Sequence, residues 1–160
     1  MISAIPKPFI DALWLLALVI ACVTSANGFA GENPVVTTQP IVIAHGSPHA
    51  IGQLGFRYEN GFGVPQNYTV AADLYHRAAE QGDAFAQSRL GLSYDKGHGV
   101  PQDFVLSYKW LNLAAARAPR RERDFYLRLR DAVASKMSAQ QIVEGQKLAL
   151  IWEADRVAAR

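Results

Sequence analysis

The sequence predicts an all-α fold: an α-solenoid of two helical hairpins, closed at its C-terminal end by a further pair of helices. Three observations predict it. Eleven positions beginning at Ala50 recur unchanged thirty-six residues later. Within each copy apolar residues fall four apart and then stop at a glycine, the pattern of a helix with a defined end. Beyond the copies, Ser138 and Gln141 form the Ser-x-x-Gln signature that opens another helix. A tandem repeat of this length folds by stacking, because one hairpin cannot bury its own apolar face.

Residues 1–30 read as an export signal. Lys7 gives a positive start, and Ala12 to Val23 is an unbroken apolar run. That run is short against the roughly 20 helical residues that a bilayer core requires, which favours a signal peptide over a membrane helix. Two processing sites compete. Gly28-Phe29-Ala30 is a small-x-small cleavage site that would release a chain beginning at Gly31. Val19-Ile20-Ala21-Cys22 resembles the lipobox of bacterial lipoproteins, which would make Cys22 an acylated N-terminus. Cys22 is the one cysteine of the sequence, so the mature chain has no disulfide or thiolate metal site available. The location expected is periplasmic or envelope-associated, with membrane contact only through the signal or a lipid anchor.

Residues 31–48 hold Pro34, Pro40, Gly46 and Pro48 between β-branched runs, and no helical period survives. An extended arm is expected, with Ile41, Val42 and Ile43 able to strap over the first hairpin.

The repeats occupy 49–118, as 50–85 and 86–118. Ala50, Leu54, Gly55, Tyr58, Gly61, Gly63, Val64, Pro65, Gln66, Ala78 and Ala79 return as Ala86, Leu90, Gly91, Tyr94, Gly97, Gly99, Val100, Pro101, Gln102, Ala114 and Ala115. Ala50, Leu54 and Tyr58 share a helix face, and Gly55 leaves room for a neighbouring helix. Gly61 stands where a left-handed residue ends a helix, and Gly63 permits a second bend. Pro65 biases Val64 toward extended backbone, so the helix cannot resume. Asn67, matched by Asp103, then caps a second helix whose stripe is Ala71, Leu74, Tyr75, Ala78 and Ala79. Its copy uses Ser107, Trp110, Leu111, Ala114 and Ala115.

This wording, A-x-x-x-L-G-x-x-Y-x-x-G-x-G-V-x-x-D followed by an alanine, a Trp or Tyr and Ala-Ala, resembles the Sel1-like repeat, a relative of the tetratricopeptide repeat. It departs at Asn67, where Asp is usual, at Leu74, where Trp is common, and at Ala118, where Gly closes the unit. The resemblance implies an exported bacterial protein that binds a protein or peptide on the concave face lined by the first helix of each hairpin.

After the second copy the period is expected to stop. Pro119 either ends that hairpin or opens a helix over about 120–136. Residues 119–160 then form the closing pair, similar in wording to the hairpin that follows the last repeat in many Sel1-like proteins, with a frayed tail from Asp155 to Arg160. A stack this short needs such a cap on its bare end.

Chemistry is sparse in the sequence. Gly46 and Pro48 between His45 and His49 exclude a helical metal pair, and His76 and His98 lie in different elements without acidic or cysteine partners nearby. Glu59, Asp73, Glu80, Asp83, Asp95 and Asp103 fall at caps and on polar faces. The paired glycines follow no strand and precede no Lys-Ser or Lys-Thr, so they are turn residues and not a phosphate loop. A formal net charge of +2 is no nucleic-acid footprint. The basic run Arg117, Arg120, Arg121, Arg123, Arg128 and Arg130 reads as a solvated helix face. No enzyme, metal or cofactor is expected.

With Leu54, Gly55 and Tyr58 as core, the residues left for the concave face are His49, Gly52, Phe56, Glu59 and Asn60. The second copy supplies Phe85, Ser88, Leu92, Asp95 and Lys96. Phe56, Phe85 and Leu92 stand out, because the packing of the repeat does not ask for large apolar groups there; they either anchor a partner or are covered by the arm or an adjacent helix. Two other readings stay open: a homo-oligomerising regulatory or assembly subunit, and a β-lactam-binding or hydrolysing enzyme like the cysteine-rich branch of the family, whose paired cysteines are missing here.

Overall fold

The computed structural model describes residues 46–159, and every described element is a helix. They are α1 (Pro48–Asn60), α2 (Tyr68–Glu80), α3 (Ala84–Lys96), α4 (Phe104–Arg117), α5 (Arg120–Ala134) and α6 (Ala139–Ala158). The export signal, Cys22 and the apolar triplet 41–43 lie outside the described residues.

Local chemistry sets the helix boundaries. Ser47, Asn67, Asp83 and Asp103 each accept a backbone N–H in the first turn of the helix that follows. Pro48 occupies the first turn of α1, where its missing N–H leaves no bond unmade. The segment expected as an arm therefore already turns helical at Pro48. Gly61 and Gly97 end α1 and α3 with φ of 72° and 71°, as the sequence predicts. At Ser138 both bonds of the capping box form.

The first five helices stack in sequence order, each packed on the next, with α1 also alongside α3. A Cβ at Gly55 would stand 2.8 Å from Tyr75 Cε1, and one at Gly91 would stand 2.8 Å from Leu111 Cγ, so in both hairpins the glycine seats a large side chain of the partner helix. Leu74, Tyr75, Leu90, Trp110 and Leu113 are the bulk of the core, filled between by Ala78, Ala79 and Ala86. Gln87 is also fully buried; its Nε2 donates to Ala79 O at 3.2 Å and ties the second hairpin to the first.

The repeated letters stop after the second copy, as expected, but the spacing of the helix starts carries on. α1, α3 and α5 begin at 48, 84 and 120, and buried Tyr126 takes the place of Leu90 one unit on. Pro119 is the N-cap of α5, which so begins in the register of a first helix. α6 breaks the pattern. It packs against α4 through Gly145, whose hydrogen faces Tyr108 and Val105 O, and through Ala149 in the main core. α5 and α6 thus diverge around α4 and meet near their turn, where Met137 and Ile142 pack beside Val133.

The tail does not fray as expected: helix runs to Ala158. Trp152 Nε1 donates to Glu80 at 2.8 Å, Arg117 meets Glu153 at 2.6 Å, and Arg156 Nη2 donates to Gln81 O at 2.6 Å. Three polar ties of this kind across elements far apart in sequence hold the last turns down.

Candidate functional site

The face formed by α1 and α3 carries Phe56 and Phe85, both half-buried and packed against the edge of the main core. Phe56 and Phe85, one from each helix, meet edge to face at a centroid distance of 6.2 Å. Phe62, from the turn after α1, meets Phe56 at 5.9 Å and is 59% exposed. His49 stands edge-on to Phe85 at 5.9 Å, and Tyr75 reaches the same ring from beneath. The rings form an aromatic cluster that is half-buried at its base and open at Phe62.

Arg89 lies across this cluster. Its guanidinium carbon is 4.6 Å from the centroid of Phe56 and 5.3 Å from that of Phe85, a doubled cation–π contact. Glu59 pairs with it at 3.7 Å, and the same Glu59 oxygen accepts the Tyr75 hydroxyl at 2.5 Å. Burial first, then that bond to Glu59, pushes the Tyr75 hydroxyl above the usual tyrosine range. The buried phenol therefore stays protonated and holds Glu59 as an acceptor, which places a fixed negative charge beside Arg89.

The other expected face residues divide into three groups. His49 is exposed, its Nδ1 3.1 Å from Asp83 Oδ2 and its Nε2 3.0 Å from Gln53; a proton on Nδ1 satisfies both contacts. Asn60 is exposed but donates to Phe56 O at 2.8 Å, and Lys96 is exposed. Leu92 is half-buried. Ser88 and Gly52 do not belong to an open face. Ser88 is buried with its hydroxyl on Phe85 O at 2.7 Å, and Gly52 is the contact point of α1 with Ala86 and Phe85. Helices α1 and α3 approach closely there, so these two small residues are the seam between them.

The carboxylates are less solvated than their spacing suggests. Asp103 and Asp83 are caps, as expected, but Asp95 pairs with Lys136 at 2.7 Å across the stack. Of the arginine run, Arg117 is tied to Glu153 and Arg130 bridges Asp131 at 2.7 Å and Asn112 at 3.3 Å, while Arg120, Arg121, Arg123 and Arg128 remain exposed. Among the described residues no group of three or more His, Cys, Asp and Glu could hold a metal ion, and no helix is long and apolar enough to cross a membrane.

Arg89, Phe62 and Tyr75 escape the sequence reading of this face. A signal for Arg89 was present: it lies four residues after Phe85 and three before Leu92, hence on the same side of the helix as both.

The repeat family model matches twice, at residues 48–83 and 84–118, the spans of the two hairpins. The chain carries two Sel1 repeats. A crystal structure of c5321, a protective antigen of uropathogenic Escherichia coli strains displaying an SLR fold, superposes with a TM-score of 0.62. It is 30% identical over 67% of this chain and 22% of its own. A Sel1 repeat protein from Oxalobacter formigenes is 45% identical over 43% of this chain and 28% of its own, with a TM-score of 0.42. The chain thus spans well under a third of either relative. None of the curated proteins matches it. Sel1 repeat proteins are in general protein-interaction scaffolds.

Proposed function

We propose that this Sel1 repeat chain is a non-catalytic scaffold or adaptor of the bacterial envelope that holds a peptide or protein segment on the α1–α3 face. The observation that carries the reading is the aromatic cluster of Phe56, Phe62 and Phe85 with Arg89 laid over it. Rigid aromatic and arginine side chains of this sort supply contact area at low ordering cost and are enriched among the residues that dominate interfaces. Export fits the apolar N-terminal run and the absence of cysteine after Cys22. Mass spectrometry of the native protein separates an acylated Cys22 from a Gly31 terminus, and an uncleaved cytoplasmic chain would refute the envelope assignment.

A photo-crosslinking amino acid placed at Asn60 or Lys96, compared with one at Arg77 on the exposed side of α2, tests the binding face in the living cell. Adducts are expected from the first two positions alone. Adducts from Arg77 only would move the site to the opposite side of the stack.

One observation favours the alternative of self-assembly. Val143, Leu150 and Val157 are exposed on α6 at seven-residue spacing, the geometry of a helix seam. Sizing chromatography decides it: a monomer at high concentration removes this reading.

A further inference from the structure

α6 is apolar on two opposite sides. One side is buried: Gly145 and Ala149 seat the helix on α4, with Leu148 and Trp152 half-buried beside them. Half a turn round the helix, at alternating steps of four and three, lie Val143, Lys147, Leu150, Ala154 and Val157, all exposed. Val143 is 62%, Leu150 71% and Val157 70% exposed, and Ile151 on the flank is 47% exposed. A surface helix ordinarily turns charged residues outward. α5 does so, with Arg121, Glu122, Asp124 and Arg128 in solvent. On α6 the four large apolar side chains expose on the order of 400 Å², within the range of patches that serve as interaction sites.

The stripe fits a second copy of itself. Its spacing is that of a coiled-coil seam. Val143 and Val157 stand seven residues to either side of Leu150, so it reads alike in both directions, the self-complementarity that a two-fold interface requires. The charges beside it are mixed, with Glu144 3.9 Å from Lys147, so it lacks the cationic flank of a helix that lies on anionic lipid. Lys147 sets the direction. In a parallel pair its ammonium would meet the same group of the other copy within the seam. An antiparallel pair about Leu150 sets the two lysines about 9 Å apart along the axis and brings Val143 beside Val157 of the other copy.

Resting on the self-assembly reading above, we propose that two copies of this chain pair through α6, antiparallel about a two-fold axis near Leu150. The seam takes nothing from the α1–α3 face, so the dimer presents two of them. A seam about 21 Å long buries on the order of 1,000 Å² over both copies, the low end of specific interfaces, so the dimer is reversible and forms at micromolar concentrations and above.

Sedimentation velocity of the full chain from about 1 μM to 1 mM tests this, and a concentration-dependent dimer is expected. Leu150→Asp sets carboxylates within the seam and is expected to weaken the dimer at least about 100-fold. Because Leu150 packs on nothing in the monomer, the urea midpoint at low concentration stays unchanged. Lys147→Leu completes the apolar stripe and is expected to tighten the dimer about 10-fold, a gain that misfolding does not imitate. Direction is read with a short bis-maleimide on a Cys22→Ser background. Val143→Cys mixed with Val157→Cys is expected to link, whereas Val143→Cys alone is not, its two copies lying about 21 Å apart. Self-linking of Val143→Cys would refute the antiparallel pairing. A dimer that survives Leu150→Asp keeps the self-assembly reading and sinks the α6 seam, while a monomer at every concentration removes both. A monomer that instead floats with phosphatidylcholine vesicles, and is released by Leu150→Asp, gives the stripe to a lipid surface and overturns the proposal.

Discussion

The two Sel1 repeats agree at the turn inside each hairpin and differ at many positions between those turns. Gly61 and Gly97 cap with nearly the same φ, and Gln66 and Gln102 each donate to the carbonyl seven residues back, at 2.8 and 2.6 Å. The side chains between those fixed points differ. Phe56 of the first copy is answered by Leu92, Gln53 by Arg89 and Tyr75 by Leu111. The shared residues build the hairpin, and the unshared ones give each hairpin its own neighbours. Position in the stack adds a second difference, for identical residues do not carry identical loads.

Leu54 and Leu90 show this most strongly. They are the same residue in the same place, yet Leu90 is completely buried between hairpins and Leu54 is half-buried on the outermost one. Leu90→Ala is expected to cost about 3–5 kcal/mol, the upper part of the range for a core leucine that leaves a cavity. Leu54→Ala should cost about 1–2 kcal/mol, in proportion to the area it removes from water. Urea melts of the two variants check it, and equal losses would mean that the first hairpin is as enclosed as the second.

Gly63 and Gly99 come next. Both have positive φ, 72° and 77°. Around Gly63 a Cβ would meet nothing within 4 Å, whereas at Gly99 it would collide with the carbonyl of Tyr68 at the start of α2. The turn of the second repeat is thus seated on the first, and the ring of His98 lies 4.5 Å from that of Tyr68 beside it. Gly63→Ala should cost about 1–2 kcal/mol, for the left-handed backbone alone. Gly99→Ala should cost about 2–4 kcal/mol, since the backbone it strikes cannot rotate away. Thermal or urea denaturation ranks the pair; if Gly63→Ala is the worse, the turn contact is misplaced.

These contrasts also mark what could be read from the chain. Glycine, proline and capping side chains act over a few residues, so both hairpins, Asp103 as a cap and the Ser138–Gln141 box were legible in the sequence. The register of α5 was not. Tyr126 stands for Leu90 and Leu127 for Gly91, so α5 keeps the register of a first helix while retaining none of its signature letters. The tail was missed for a related reason: what holds Arg156 and Trp152 is a carbonyl and a carboxylate more than seventy residues away. The candidate site was half legible. Spacing put Phe56, Phe85 and Lys96 on the face, but it also included Ser88, which burial removes, and it omitted Arg89, since an arginine on a helix reads as solvated until its stacking partners are known.

Tyr75 and Leu111 give the smallest contrast and the one closest to function. In the first repeat a buried phenol anchors Glu59; in the second, Leu111 has no hydroxyl, and the matching Asp95 is held from outside by Lys136. Tyr75→Phe is expected to cost about 1 kcal/mol, the net value of one such hydrogen bond near a partly exposed carboxylate. Its pH dependence separates the bond from packing. An unfolded tyrosine ionises near pH 10, while folded Tyr75 is held protonated well above that, so its contribution is fully present below about pH 10 and is lost as pH rises further. Tyr94 and Tyr126, also raised by burial, add an alkaline loss common to both proteins. Urea midpoints measured from pH 8 to 11 should therefore fall for wild type and variant alike, but less steeply for Tyr75→Phe, so that the two curves converge. Parallel curves would show that the phenol is not buried against Glu59, and with it would go the fixed negative charge beside Arg89.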